Sequence, residues 1–348
     1  MRIAIIKPSA LGDIVHALPV LSALRDRYPD AHIAWVVNRS FEGLLRGHPA
    51  LNDIIPFDRG GAGKGIVTGT KYALAFGRTL RRHRFDWAID LQGLLRTGLM
   101  TAATGAKRKI GFSNAREGSR HFYNERVAIS AEDASRLHAV DRYWRLVEYL
   151  DAAQRPKRFD LPIDPAERDT VERELKDAPR PWYAVAVGAK WLTKRWPPER
   201  FGELLSRATR EYGGTAVFVG VSEDSPLSQR AMESLAGQGR DWCGKTSLAK
   251  LAAFLSLADV AIANDTGPLH LAAAIGTPCV APYTCTKVAL HGPYTSPRGG
   301  IETTVSCAGS YLKQCPNGTI CFQELTADKL WPPLVEVMNA WRTRFPSA

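Results

Sequence analysis

The sequence predicts an α/β protein of two doubly wound domains, each a parallel sheet with helices on both faces. Three observations carry that expectation. The 348 residues exceed one ordinary domain and suit two of roughly 150 to 180 residues. Short β-branched runs alternate with amphipathic segments, so the hydrophobic period switches repeatedly from two to about 3.6. Partway along the chain that alternation lapses into Pro and charge, then resumes. A strand–helix alternation of this kind gives parallel sheets covered on both faces.

In chain order, Ile3–Ile6, His32–Val37, Asp86–Ile89 and Lys109–Phe112 read as strands, with helices over Ile14–Arg27 and Tyr72–Arg82. The lapse lies around Arg155–Pro165 and again at Ala178–Pro181, so a first domain is expected over 1–165 and a linker over 166–181. The second domain, 182–325, holds strand Tyr183–Val187, helix Pro198–Tyr212, strand Thr215–Val219, helix Leu248–Leu257 and strand Val260–Ala263. Residues 326–348 read as a C-terminal helix packing back toward the N-terminal domain. Ligands of such sheets bind beyond the carboxyl ends of the strands, so a cleft between the domains is the expected site. Met1–Lys7 has only a short apolar run and no small-residue cleavage site, so it reads as a buried strand rather than a signal peptide. No apolar run reaches the roughly 20 residues of a membrane span, and a cytoplasmic protein is expected.

Hydrophobic residues are 45% and charged residues 23% of the chain, an ordinary globular balance that excludes long disorder and collagen. The formal charge is +11. Residues 59–126 alone carry 14 basic and 4 acidic side chains. Apolar segments interrupt this stretch, so it suits a folded surface facing a phosphate- or carboxylate-rich partner, the alternative being a merely solvated basic face. Nucleic acid is a poorer partner, because zinc-finger spacing, RRM aromatics and a helix-turn-helix signal are all missing.

Three motifs follow strands. Lys7-Pro-Ser-Ala-Leu-Gly-Asp13 joins the first strand to a helix, with Asp13 either a helix cap or a general base, roles that can coexist. Asn264-Asp-Thr-Gly-Pro-Leu-His270 opens a helix whose backbone N–H groups suit a diphosphate, with Asp265 placed for a sugar or ribose hydroxyl. His270 is either a satisfied structural residue or a ligand of the same mouth. Lys190-Trp-Leu-Thr-Lys-Arg-Trp196 offers cations to a leaving phosphate. Gly239–Thr246 has Walker A spacing but follows a polar helical segment instead of a buried strand, so an NTPase is not expected. The cysteines between Cys279 and Cys321 lack a Cys-x-x-Cys pair and read as reduced structural thiols, not zinc ligands. Asp-x-Asp does not occur, so a metal–diphosphate carboxylate pair has no evident counterpart.

Taken in order, the opening strand with Gly12-Asp13, Asp90-Leu-Gln-Gly-Leu94, Lys194-Arg-Trp-Pro197, Cys243–Ser247 and Asn264–His270 resemble the ADP-heptose:lipopolysaccharide heptosyltransferases, glycosyltransferase family 9, over nearly the whole chain. Ala115-Arg-Glu, Phe122-Tyr-Asn124 and His138-Ala-Val look like the type I, Kdo-directed enzymes. The resemblance implies a GT-B fold of two Rossmann-like domains with an interdomain cleft, the first for acceptor and the second for donor. It further implies inverting, metal-independent transfer of heptose from ADP-heptose to Kdo-lipid A, without a cofactor, by an enzyme peripheral to the cytoplasmic face of the inner membrane. By the same resemblance, Asp13 is the catalytic base and Lys194 the cation on the donor phosphates. Asp265, Thr266, Gly267 and His270 form the donor loop, while Arg96 and Arg120 bind the acceptor. Ala281-Pro-Tyr-Thr-Cys-Thr-Lys287 departs from the family's usual turn. The alternatives are transfer to another acceptor, another nucleotide-sugar transferase, a GT-B-fold epimerase or a non-catalytic nucleotide-binding protein. A dinucleotide dehydrogenase would need a Gly-x-Gly-x-x-Gly that is missing.

Overall fold

A computed structural model describes residues 1–58, 60, 66–237 and 239–345. The chain divides into two compact units, Met1–Pro162 and Ile163–Ala348.

The first unit is built on six strands, β1 (Arg2–Ile6), β2 (His32–Asn38), β3 (Asp53–Phe57), β4 (Trp87–Asp90), β5 (Arg108–Phe112) and β6 (Glu125–Val127). They lie in the order β3-β2-β1-β4-β5-β6, all pairs parallel. Ile3–Ile6 of β1 are wholly buried, as expected of a central parallel strand covered on both faces. One face packs Ala4, Ile6, Val36, Phe57, Leu80 and Met100 into a single cluster. Helix Leu11–Arg27 covers the sheet through an unbroken buried run from Ile14 to Leu24, and Tyr72–Arg82 lies within a helix over Ile66–Arg82.

The second unit repeats the winding with β7 (Trp182–Ala186), β8 (Thr215–Phe218), β9 (Gly239–Asp241), β10 (Val260–Ala263), β11 (Cys279–Tyr283) and β12 (Gly300–Glu302). Their order is β12-β11-β10-β7-β8-β9, again parallel. Helix Pro198–Tyr212 buries Phe201, Leu204, Leu205 and Ala208 against this sheet.

One expectation about organisation needs correction. The stretch expected as a linker over 166–181 contains helix Pro165–Glu174, with Asp164 as its N-cap and Pro165 at N1. This helix belongs to the second unit, where Val171 is buried and Lys250 holds Glu174 at 2.7 Å. The C-terminal helix, Ala327–Arg344, sends Leu330, Trp331, Leu334, Met338 and Trp341 into the core of its own second unit. Its apolar stripe fits beside Phe201 and Leu205, and burying these side chains contributes roughly 1.5–3 kcal/mol each.

Candidate active site

Each sheet reverses its strand order once, between β1 and β4 in the first unit and between β7 and β10 in the second. Such switch points open a crevice at the carboxyl ends of the strands. The residues singled out by sequence sit there: Asp13 follows β1, Arg96 follows β4, Lys194 follows β7, and Asp265–His270 follows β10.

In the first unit, Asp13 is the third residue of helix Leu11–Arg27, and its Oδ2 accepts from the N–H of the N-cap Ala10 at 3.1 Å. Lys7 Nζ, on a side chain only 2% exposed, lies 3.8 Å from the same oxygen, whereas the Asp13 side chain is 45% exposed. The cap therefore engages one oxygen only, which leaves the half-exposed carboxylate free for the second role that the sequence left open. Asp90, at the end of β4, is fully buried and accepts from the N–H groups of Gln92 and Gly93 and from the Tyr123 hydroxyl at 2.6 Å. Burial outweighs these bonds and pushes the Asp90 carboxyl above its ordinary range. The Asp90–Leu94 motif is thus a turn knotted from inside, and it launches helix Leu95–Thr104.

Arg96 lies exposed on that helix, its guanidinium 5.8 Å from the Phe57 ring centroid. Arg120 is exposed on the turn Ser119–Phe122, which packs against the same helix where Gly98 brings the backbones together. The structure therefore sets both cations on adjoining elements. Other members of the basic stretch are used internally: Arg108 grips Glu125 through two bonds of 2.6 and 2.7 Å, and Lys109 donates to the Ala106 carbonyl. Arg59 and Lys64 lie outside the described residues.

In the second unit, Lys194 ends a short turn after β7 and places Nζ 2.6 Å from Asp265 Oδ2. Thr286 donates to the same oxygen at 2.7 Å, and His270 Nε2 lies 3.1 Å from Oδ1. Burial alone would raise the Asp265 carboxyl, but His270 and Lys194 outweigh it and hold the group well below its usual range. Asp265, buried and serving three partners, is an anchor for the loop; its carboxylate is not held open toward a ribose. His270 likewise turns inward. The chemistry left facing outward is Lys194 and the start of helix Gly267–Ile275, where Thr266 makes no side-chain cap and its hydroxyl donates to the Asn264 carbonyl. Uncapped first-turn N–H groups and the helix dipole favour an anion.

Sequence reasoning missed three contributors. Asn264 clamps the two strand ends, accepting from Trp196 N–H at 3.1 Å and donating to the Val187 carbonyl at 2.7 Å. Thr286, in the turn that departs from the family pattern, completes the Asp265 anchor. Asp224 sits beyond β8, close against Gly188 and Gly220, its carboxyl raised by burial. An acidic residue after a strand was the available signal for Asp224; Asn264 and Thr286 lay in segments already singled out, but nothing local announced their partners.

The Walker-like segment begins on edge strand β9, and Lys245 turns back to the Asp241 carbonyl at 2.8 Å. All six cysteines are free thiols, and burial pushes Cys243 up to about 12 and Cys321 to about 11. Among the described residues no three His, Cys, Asp or Glu side chains are grouped to hold a metal. A cavity of about 660 Å³ in the second unit, lined by Arg180, Asp259, Pro278 and Trp341, opens at the amino ends of the strands, away from these motifs.

The model of glycosyltransferase family 9 (heptosyltransferase) matches residues 73–321. The lipopolysaccharide core heptosyltransferase OpsX of Haemophilus influenzae is 26% identical over 87% of this chain and 84% of its own. Lipopolysaccharide heptosyltransferase 1 of Pseudomonas aeruginosa is 27% identical over 90% and 87%. The E. coli heptosyltransferase WaaC, solved with ADP, superposes with a TM-score of 0.75 at 24% identity, covering 97% of this chain and 100% of that one. Two parallel six-stranded sheets wound alike give the GT-B fold. With its motifs at both switch points and most of its length matched, the chain belongs to glycosyltransferase family 9, the heptosyltransferases.

Proposed function

We propose that this enzyme transfers heptose from ADP-heptose to the Kdo region of the lipopolysaccharide inner core, with inversion and without a divalent metal. The single observation that carries the mechanism is the asymmetry of Asp13: Oδ2 is occupied by the Ala10 N–H and approached by Lys7, while the half-exposed carboxylate keeps its other oxygen for an acceptor hydroxyl. As that hydroxyl oxygen bonds to the anomeric carbon, its proton passes to Asp13. The bond from the anomeric carbon to the diphosphate breaks with its electrons, releasing ADP. Displacement from the opposite face inverts the centre. Lys194 and the helix start at Thr266–Gly267 supply positive potential to the departing diphosphate. The likeness to enzymes named for lipopolysaccharide core and heptosyltransferase 1, and to a structure solved with ADP, supports donor and acceptor classes.

An acceptor carrying carboxylates and phosphates suits Arg96 and Arg120, and its lipid places the enzyme peripherally at the cytoplasmic face of the inner membrane. No helix of the described residues is long and apolar enough to cross a membrane, and basic side chains provide attraction to anionic lipid. The test is ADP release and product mass with ADP-heptose and Kdo-lipid A in EDTA. General-base catalysis contributes roughly 100- to 10,000-fold, so Asp13→Asn should lose that much turnover while donor still binds. Normal turnover in Asp13→Asn, or activity that requires added Mg²⁺, would overturn the proposal.

A further inference from the structure

We infer that Lys7 is a positioning residue for the transfer step, its buried ammonium steering Asp13 so that one carboxylate oxygen is engaged and the other stays open. This rests on the reading of Asp13 as the base. Lys7 is the first residue after β1, and its backbone is fixed twice, its N–H donating to the Val36 carbonyl at 3.3 Å and its carbonyl accepting from Trp35 Nε1 at 3.1 Å. The side chain then has little freedom and no water, being 2% exposed. A lysine is almost never fully buried unless paired. Here the nearest carboxylate is the half-exposed Asp13, 3.8 Å from Nζ, while Tyr143 covers the ammonium with its ring centroid at 5.3 Å.

The groups facing Lys7 come from every element around it. Asp13 comes from helix Leu11–Arg27, Tyr143 from helix Ala139–Tyr149, and Asp90 from the end of β4, with Arg142 acting on Tyr143 from the same helix. Burial alone would favour a neutral amine, but Asp13, Tyr143 and Asp90 outweigh it and hold the ammonium above its ordinary value. The helix carrying Tyr143 is started by His138, whose Nδ1 accepts from the Val140 N–H at 3.2 Å. The His138-Ala-Val motif thus reaches the base indirectly, through Tyr143 and Lys7.

A purely structural lysine would pair tightly inside the core. This one stands behind a solvent-facing carboxylate at a separation longer than a hydrogen bond, beside the oxygen that also takes the Ala10 N–H, and so biases which oxygen points outward. Misplacement of a reacting group by about 1 Å can cost about 100-fold in rate.

The experiment measures kcat and both KM values for Lys7→Met, Lys7→Arg and Tyr143→Phe, with Lys7→Met repeated in the Asp13→Asn background. Lys7→Met should lower kcat about 100-fold with both KM values nearly unchanged. Lys7→Arg should regain most of the loss. In the Asp13→Asn background Lys7→Met should have no further effect. A Lys7→Met enzyme with normal kcat, or one that slows Asp13→Asn further, overturns the inference. Should Lys7→Met fail to fold by circular dichroism, Tyr143→Phe decides: a fall confined to kcat supports the role, and unchanged kcat overturns it. Normal turnover by Asp13→Asn itself would instead count against the base, a separate outcome.

Discussion

Asp265→Asn removes one charge while keeping shape, and the geometry says how much should follow. The carboxylate takes Lys194 at 2.6 Å, Thr286 at 2.7 Å and His270 at 3.1 Å. Breaking a buried ion pair by removing one partner costs about 3–5 kcal/mol, and because Lys194 is 20% exposed the lower end applies. Opening of the second unit should become about 100-fold easier, since 1.4 kcal/mol is tenfold. Hydrogen exchange of peptides spanning 182–196 and 260–275 reads that unit alone. Lys194→Ala should cost a similar amount by stranding Asp265. The double variant should cost far less than the sum, with a coupling of about 2–3 kcal/mol. Donor KM should rise in all three, because each variant loosens Lys194 or removes it. Additive losses, with a donor effect for Asp265→Asn unrelated to Lys194, would refute the anchor and return Asp265 to direct contact with a ribose.

Three further outcomes are expected. His48 is buried, accepts from the Ala50 N–H through Nδ1, and is lowered by burial from 6.5 to about 4; between those pH values only the unfolded chain takes up the proton, so the stability His48 confers is complete above about pH 6.5 and falls by up to about 3 kcal/mol toward pH 4. Urea unfolding of the wild type against His48→Asn should show that slope flattened in the variant. Tyr123→Phe leaves buried Asp90 short of its 2.6 Å donor and should destabilise the first unit by about 1.5–3 kcal/mol, read as a lowered urea midpoint. Gly98→Ala would set a Cβ 2.7 Å from the Phe122 ring and 3.1 Å from the Ser119 backbone, displacing the Arg120 turn; acceptor KM should rise with donor KM unchanged.

What could be read in advance follows from how strongly a position is marked by its own neighbours. Central strands β1, β7 and β10 are continuous apolar runs, and the motifs after them stand at the expected ends. Edge strands β3, β6, β9 and β12 were missed, and so was the inner strand β11: β6, β9 and β12 have three residues each, β3 carries Pro56, which an edge tolerates, and β11 carries Pro282. Helix Pro165–Glu174 was taken for a linker although Asp164-Pro165 is a cap followed by an N1 proline, because its surface is almost wholly charged and shows no apolar stripe. At the site, Asp13 and Lys194 could be singled out by their places after strands, but their partners could not. Thr286 reaches Asp265 from 21 residues away, and no local pattern announces that Lys7 is buried.

Those hidden partners share a logic across the two units. In the first, a buried cation, Lys7, stands behind an exposed anion, Asp13; in the second, a buried anion, Asp265, stands behind a partly exposed cation, Lys194. Each outward group is the one that the proposed chemistry calls for, a base for a hydroxyl and a cation for a diphosphate. A flexible, solvated side chain would wander among rotamers and be screened, whereas a buried counter-charge fixes its orientation in a region of low dielectric where the field is strong. The arrangement also limits what substitution can achieve. Neutralising the buried member leaves the functional group present but unaimed, so loss of activity at Lys7 or Asp265 should resemble loss at Asp13 or Lys194 although both side chains are buried.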